Sequence, residues 1–323
     1  MNSALKTRLT RESVFFLLAG LLSLYIVMLV DDMNAVCKLC RIKDLLQGTA
    51  HKPFQYRMLV PWILQLLSGW TGIRAVSLLF ALNTGFLYIY ILLYRYFLSF
   101  FFENRRITGY LALCIFYILI FHNLLVRELP LRYPWDMSSM LFFLLGIIAV
   151  YRRHWVLYYA VFIIGTFNKE TTCFLPILYF YAYWGRDTWR NLLLHPAVSL
   201  LLWLGIKYAL YQLYLDSGTE SIWFHEKLRA NLIYQSHPLC LFRIASLFGF
   251  LWLPLLIYFK RIPDVFIRRS LFVVVIYVIG MLYVGNIYEL RIFNEMIPLI
   301  LTAFLLIVRE TTSRQQPKQE LTD

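Results

Sequence analysis

The chain has 323 residues, 60% of them hydrophobic and 15% charged, with a mean hydropathy of +0.64 and a formal net charge of +13. Soluble domains carry about 25% charged residues, whereas apolar runs of membrane-spanning length recur here almost to the C-terminus, so a soluble globular fold is excluded and an all-α polytopic membrane protein is expected. The basic residues are scattered in twos and threes beside apolar runs, a distribution that sets topology and attracts anionic membrane lipids, so no nucleic-acid partner is expected.

In chain order, Lys6, Arg8 and Arg11 precede an apolar run that resembles a signal sequence. No small-x-small cleavage site follows, only Asp31 and Asp32, so 14–30 reads as an uncleaved first span. The first loop, 31–74, places Leu39, Ile42, Leu45 and Leu46 on one helical face and Lys38, Arg41 and Lys43 elsewhere. That pattern predicts a short helix lying on the membrane surface and stopped by Gly48. Segment 59–72 is too short to span comfortably and reads as an interfacial or re-entrant helix. Further spans are expected at 75–100, 108–125, 137–151, 155–167, 171–184, 191–213, 241–259, 270–286 and 293–308, about ten in all. Between them, the long loop 214–240 spaces Phe224, Leu228 and Leu232 four apart, as an amphipathic interfacial helix would.

Topology follows from the charges. With a cytoplasmic N-terminus, one set of breaks contains Arg105-Arg106, Arg152-Arg153, Arg186 with Arg190, Lys260-Arg261 with Arg268-Arg269, and the polar tail 309–323. This satisfies the positive-inside rule and puts both termini in the cytoplasm. The whole reads as a single transmembrane domain, 1–323.

Carboxylates and cations together collect on the opposite, extracytoplasmic side. The first loop runs from Asp31 and Asp32 to Tyr56 and Arg57, and VRELPLRYPWD contributes Arg127, Glu128, Arg132 and Asp136. FNKET contributes Lys169 and Glu170, and YELRIFNE contributes Tyr288, Glu289, Arg291, Asn294 and Glu295. A charge at the centre of a spanning helix costs about 2.5–3.5 kcal/mol, so such residues pair, snorkel or line a wet cavity. Ion pairs closing helix ends would explain any one motif. Recurrence on one side, in loops far apart in sequence, favours a shared pocket. There Arg57, Arg127, Arg132, Lys169 and Arg291 would supply a positive site for a phosphate, with Arg suited to fork-like recognition. The carboxylates would hold those cations or take protons. Asp31 and Asp32 admit two readings: a solvated helix terminus, or a general base at the water–lipid boundary.

Cys37 and Cys40 form a lone C-x-x-C without a second Cys/His pair, which is weak ground for a metal or redox site. Cys114, Cys173 and Cys240 read as packing residues.

This layout resembles the GT-C class of integral-membrane glycosyltransferases. The shared features are a cytoplasmic N-terminus, an acidic residue just after the first span (Asp31-Asp32), surface helices at 36–47 and 59–72, and charges at later outer breaks. PFQYRMLVPW, FNKET and YELRIFNE are similar to small bacterial membrane proteins of that kind. The resemblance implies a polyprenyl-phosphate-linked sugar as donor and transfer on the extracytoplasmic face of a bacterial inner membrane, with inversion. Asp32 or Asp31 would be the base, and Arg57, Lys169 and Arg291 would stabilise the departing lipid phosphate. A glycan, lipid or protein acceptor is implied, with no cofactor and a divalent cation left open. The sequence departs from the class in size, without the soluble outer domain many members carry, which leaves the acceptor type open. Two other classes remain: a transporter or lipid-linked-glycan flippase, which would also need a charged cavity, and a non-catalytic scaffold, which leaves the one-sided charge unexplained.

Overall fold

A computed structural model describes residues 3–33, 35–124, 131–217, 224–235 and 237–315. Helix α1 (Ser3–Met33) runs through the first apolar stretch and feeds a two-residue strand, β1 (Ala35–Val36). This strand pairs in parallel with β2 (Leu131–Arg132), Ala35 opposite Leu131 and Val36 opposite Arg132. The pair ties the end of α1 to the approach to a helix a hundred residues later. A 3-10 turn, Lys38–Cys40, and α2 (Ile42–Gln47) follow. Gly48 ends α2 at φ +73°, the left-handed position a glycine adopts without a Cβ clash. Of the expected apolar face, Leu45 is fully buried and Ile42 and Leu46 are half-buried, while Lys38, Arg41 and Lys43 are exposed; Leu39 departs from the expectation, exposed in the 3-10 turn that precedes the helix. Helix α3 (Leu59–Thr71) covers the short apolar segment.

The remaining helices are α4 (Ala75–Leu98), α5 (Arg105–Leu113), α6 (Ile115–Asn123), α7 (Asp136–Tyr151), α8 (Trp155–Asn168), α9 (Phe174–Tyr183), α10 (Trp189–Leu213), α11 (Phe224–Gln235), α12 (Pro238–Ala245), α13 (Trp252–Tyr258), α14 (Val265–Val284) and α15 (Ile297–Gln315). The fold of the described residues is therefore all-α apart from one strand pair. Among the described residues, six stretches are long and apolar enough to cross a membrane: Glu12–Met33, Ala75–Leu98, Arg106–Asn123, Trp189–Leu213, Val265–Val284 and Leu290–Ser313. The other four expected spans take shorter or broken forms. Helices α7 and α8 have 16 and 14 residues, about 24 and 21 Å against a hydrocarbon core of about 30 Å. The third, at 171–184, is a 3-10 turn leading into the 10-residue α9.

The fourth, at 241–259, is interrupted. Between α12 and α13, Phe248, Gly249 and Phe250 all take left-handed backbone, with φ of +55°, +61° and +63°. Each non-glycine residue held there costs about 1–2 kcal/mol, and the freed backbone groups need partners where water is scarce. Helix α6 and its approach supply them. His122 Nε2 accepts the Phe248 N–H at 2.9 Å, and the Tyr117 hydroxyl donates to Gly249 O at 3.0 Å.

Burial grades outward from the centre. The apolar window of Leu290–Ser313 is 83% buried, that of α10 only 11%. Almost every residue of α7 is enclosed. Leu17, Leu21 and Leu24 on α1 and Leu200, Leu201 and Leu204 on α10 face outward, an apolar surface of the kind that meets lipid tails. Central α7 and α15 thus hold rigid the ends from which the polar residues project.

Candidate functional site

The FNKET turn shows how local sequence builds the site. Helix α8 stops at Asn168, Lys169 is extended (φ −160°, ψ 143°), and Glu170 opens a 3-10 turn, Glu170–Cys173. The return is tight because residue 165 is glycine: a Cβ there would lie 2.9 Å from Thr172 Cγ2. The Thr166 and Thr172 hydroxyls sit 2.8 Å apart across the turn. Asn168 locks its tip onto the start of α7, accepting from Ser138 Oγ at 2.7 Å and donating to Trp135 O at 3.3 Å.

Lys169 and Glu170 then go to separate partners. Lys169 Nζ donates to Glu295 Oε1 at 2.7 Å, both side chains being almost fully enclosed, and the Tyr277 hydroxyl donates to Glu295 Oε2 at 3.0 Å. Glu170 receives Arg57 in a two-pronged pair, with Nε to Oε2 at 3.0 Å and Nη2 to Oε1 closer still, and Lys207 of α10 at 3.8 Å. Trp203 Nε1 donates to the Glu170 carbonyl at 3.0 Å. Burial alone would raise the Glu170 pKa, but Arg57 and Lys207 outweigh it and hold the carboxyl well below the usual range. Burial likewise opposes the Arg57 charge, and Glu170 reverses that effect.

Aromatic rings join this pair to the next. Phe54, Tyr133 and Trp135 stack on one another at 5.3–6.0 Å between centroids. Arg57 lies 4.8 Å over Trp135, and Arg291 lies 4.0 Å over Tyr133. The aromatic group therefore meets two guanidiniums, an arrangement the ring quadrupoles favour. Arg291, in the 3-10 segment Leu290–Met296, pairs with both Asp136 and Glu289. Gln55, wholly buried, pins the first loop beneath the stack by accepting from Ala50 N at 2.9 Å and donating to Leu45 O at 3.2 Å.

Beside the stack lies a cavity of about 300 Å³, at the small end of ligand pockets, which run from about 300 to 1,000 Å³. Its apolar walls come from Val27 and Val30 of α1 and Val76 and Leu79 of α4. Asp31, Arg41, Lys43 and Arg132 also line it, as do Asn83, Asn123, Asp136 and Arg291. Asp31 and Arg132 form an ion pair, and Arg132 Nη1 donates to the Asp31 carbonyl at 2.9 Å. Two buried polar atoms on this lining, Asn83 Oδ1 and Arg291 Nε, have no hydrogen-bond partner among the described residues. Such groups cost about 1–3 kcal/mol each.

The expected site residues are thus drawn to one end of the bundle but not into one hollow. Asp31, Arg132, Asp136 and Arg291 reach the cavity. Arg57, Lys169, Glu170 and Glu295 do not line it, and neither does Asp32, whose side chain is exposed in the last turn of α1. The expectation of a single pocket for all of them is corrected accordingly: away from the cavity lining, Arg57 and Lys207 share Glu170 and Lys169 is taken by Glu295. Glu289 pairs behind Arg291. Half-buried Tyr288 packs at a tilt against Tyr234 of α11, 5.0 Å between ring centroids, and half-buried Tyr56 closes the 3-10 turn Phe54–Tyr56. Asn294 Oδ1 takes His122 Nδ1 at 2.7 Å. Arg127 and Glu128 lie outside the described residues. Lys207, Tyr277, Asn83 and His122 went unnoticed in the sequence. Each is a polar residue inside an apolar run, and the signal that could have found it is the partner such a residue requires.

Cys37 and Cys40 are free, buried thiols. The hydrogen bond from Cys40 brings the Cys37 pKa down to about 6 against the opposing effect of burial, while that same bond and burial push Cys40 far up. No group of three His, Cys, Asp or Glu residues placed to hold a metal ion occurs among the described residues. Comparison with protein-family models, with curated proteins and with solved structures returns no match to this chain.

Proposed function

We propose that the chain is an integral-membrane glycosyltransferase of GT-C type, with about ten spans, both termini cytoplasmic and the first-loop end of the bundle extracytoplasmic. It moves a sugar from a polyprenyl-phosphate donor to a glycan, lipid or protein acceptor. The observation that carries this reading is the composition of the cavity: valine and leucine walls from α1 and α4, with Asp31, Arg132, Arg41 and Lys43 on the same lining. A lipid phosphate needs apolar surface for its chain and cations for its headgroup, and transfer needs a carboxylate beside them to take a proton.

In the reaction, the acceptor hydroxyl oxygen attacks the anomeric carbon and its proton passes to Asp31. The bond from that carbon to the phosphate oxygen breaks, its electron pair leaving with the lipid phosphate. Displacement from the opposite face inverts the centre. Arg132, paired with Asp31, trades that carboxylate for the donor phosphate, which frees Asp31 to accept the proton. Arg41 and Lys43 add positive charge where the leaving group gathers its own. Arg57 and Lys169, tied to Glu170 and Glu295, hold the neighbouring wall in shape.

The test is sugar incorporation by the purified full-length protein in nanodiscs, from polyprenyl-phosphate donors into a panel of glycan, lipid and peptide acceptors. Incorporation abolished by Asp31→Asn, with lipid-phosphate binding retained, is the expected result. Movement of lipid between leaflets without incorporation from any donor would replace this reading with a flippase.

A further inference from the structure

The C-x-x-C of the first loop takes no part in the transfer just described. Cys37 opens the 3-10 turn Lys38–Cys40, and the Cys40 N–H donates to the Cys37 carbonyl at 3.4 Å. A turn closed in this way keeps its end Cα atoms within about 7 Å, and a disulfide bridges Cα atoms about 4.4–6.8 Å apart. The two residues between the cysteines, Lys38 and Leu39, are exposed, whereas Cys37 and Cys40 are each only 3% exposed and pack with Tyr133 and Trp135. Both sulfurs therefore turn to the same inner side. They are hydrogen-bonded to each other, the Tyr133 hydroxyl also donates to Cys37, and no bond joins them. The mutual hydrogen bond makes them unequal, with Cys37 lowered to about 6 and Cys40 pushed far up. Near neutral pH Cys37 is thus the thiolate, the attacking form, and Cys40 keeps its proton.

The approach to the pair limits what can reach it. Cys40 lines the cavity between Val36 and Arg41, and a hollow of about 300 Å³ admits a slim molecule rather than a folded protein. Within 31–44, exposed Lys38, Arg41 and Lys43 outnumber Asp32 and Asp44, since Asp31 is matched to Arg132. Such a surface gathers anions. We propose that Cys37 and Cys40 are a dithiol–disulfide couple that exchanges with a low-mass anionic disulfide arriving through the cavity. This goes beyond glycosyl transfer and does not depend on it. The Cys37 thiolate attacks one sulfur of the incoming disulfide, whose S–S bond breaks and releases a thiolate. That thiolate takes the proton of Cys40. The Cys40 thiolate then attacks the Cys37 sulfur of the mixed disulfide, and the second half of the small molecule leaves as a thiolate. The two cysteines lose two electrons in forming their bond, and the small disulfide gains them as one thiol and one thiolate.

The experiment takes the full chain in nanodiscs, reduces it, and exposes it without oxygen to glutathione disulfide, hydroxyethyl disulfide or cystamine, which are anionic, neutral and cationic. Acid quenching, thiol blocking and peptide mass spectrometry then count the Cys37–Cys40 disulfide and locate any mixed disulfide. Each rate is divided by that of the same reagent with free mercaptoethanol. Wild type is expected to form the internal disulfide, with glutathione disulfide favoured over cystamine by about tenfold at low salt and by no more than about twofold at high salt. Cys40→Ser is expected to stop at a mixed disulfide on Cys37. Should that variant not fold, Cys40→Ala is read in the same way, and the wild-type result stands without either. No internal disulfide with any reagent, relative rates that ignore reagent charge at low salt, or a Cys40 variant that folds yet takes no adduct at Cys37 each overturn the proposal.

Discussion

Arg57 and Glu170 meet across 113 residues of sequence through two hydrogen bonds, and each keeps the other charged against burial. A residue further back, Lys169 reaches Glu295 across 126 residues. The two pairs differ in enclosure: side-chain exposures are 13% and 32% for Arg57 and Glu170, but 9% and 1% for Lys169 and Glu295. Removing one member of an enclosed pair strands the other charge.

Lys169→Met is therefore expected to cost about 3–5 kcal/mol, the range for breaking a buried pair. Arg57→Met is expected to cost roughly half as much, because Glu170 retains Lys207 and some water. Thermal unfolding of both variants in one detergent checks the order. A larger loss for Arg57→Met would mean that enclosure does not govern these pairs.

Gly165→Ala places a methyl group against Thr172 Cγ2 and within 3.3 Å of Phe142 Cβ. Overpacking of this kind costs about 1–3 kcal/mol. Thr172→Ser removes the offending methyl and keeps the hydroxyl that meets Thr166, so the double variant should be more stable than the two single losses added together. Strict additivity would show that the turn is not held by this contact.

Cys37 should titrate near pH 6, well below the usual thiol value of about 8.5. Its alkylation by iodoacetamide, followed peptide by peptide in a mass spectrometer, is expected to reach half its maximal rate close to that pH, with Cys40 silent. Cys40→Ala should move the profile upward towards ordinary thiols. Because the folded pKa is depressed, the stability this group adds is complete above about pH 8.5 and gone below about pH 6. A profile unchanged by Cys40→Ala would remove the hydrogen bond as the cause.

Greater distance from the hydrocarbon slightly favours Asp32 as the base on sequence alone, yet of the two only Asp31 lines the cavity. Asp31→Asn should lower turnover by about 10²–10⁴-fold, the span of general-base contributions, and Asp32→Asn by no more than a few-fold. Single-turnover transfer with saturating donor separates the two, and equal losses would reinstate Asp32.

That contrast marks where the sequence was legible. The helix stop at Gly48 could be read because a left-handed terminus favours glycine. The helix expected at 36–47 could be read only in its second half, Ile42–Gln47, where Ile42, Leu45 and Leu46 share a face; its first half is a two-residue strand and a 3-10 turn. Successive residues on a helix, however, point about 100° apart, and nothing local fixes that phase, so Asp31 could not be told from Asp32. The break at Phe248–Phe250 has no composition signal, since two of its three left-handed residues are phenylalanines. It exists because His122 and Tyr117, from another helix, complete its hydrogen bonds. Lys207 looked like an incidental cation in an apolar run until packing set it beside Glu170. The charged motifs announced that pairing would occur; which carboxylate took which cation was decided by the bundle.

Four of the cations at this end of the molecule, Arg57, Lys169, Lys207 and Arg291, face four carboxylates, Glu170, Glu295, Asp136 and Glu289. Such a balanced array casts almost no long-range potential, and what remains fades within a Debye length of about 8–10 Å. Attraction of a distant anion falls instead to exposed Lys38, Arg41 and Lys43. The speed of capture should therefore drop steeply as salt is added, while the lifetime of the complex, set by desolvated contacts deeper in, stays nearly constant.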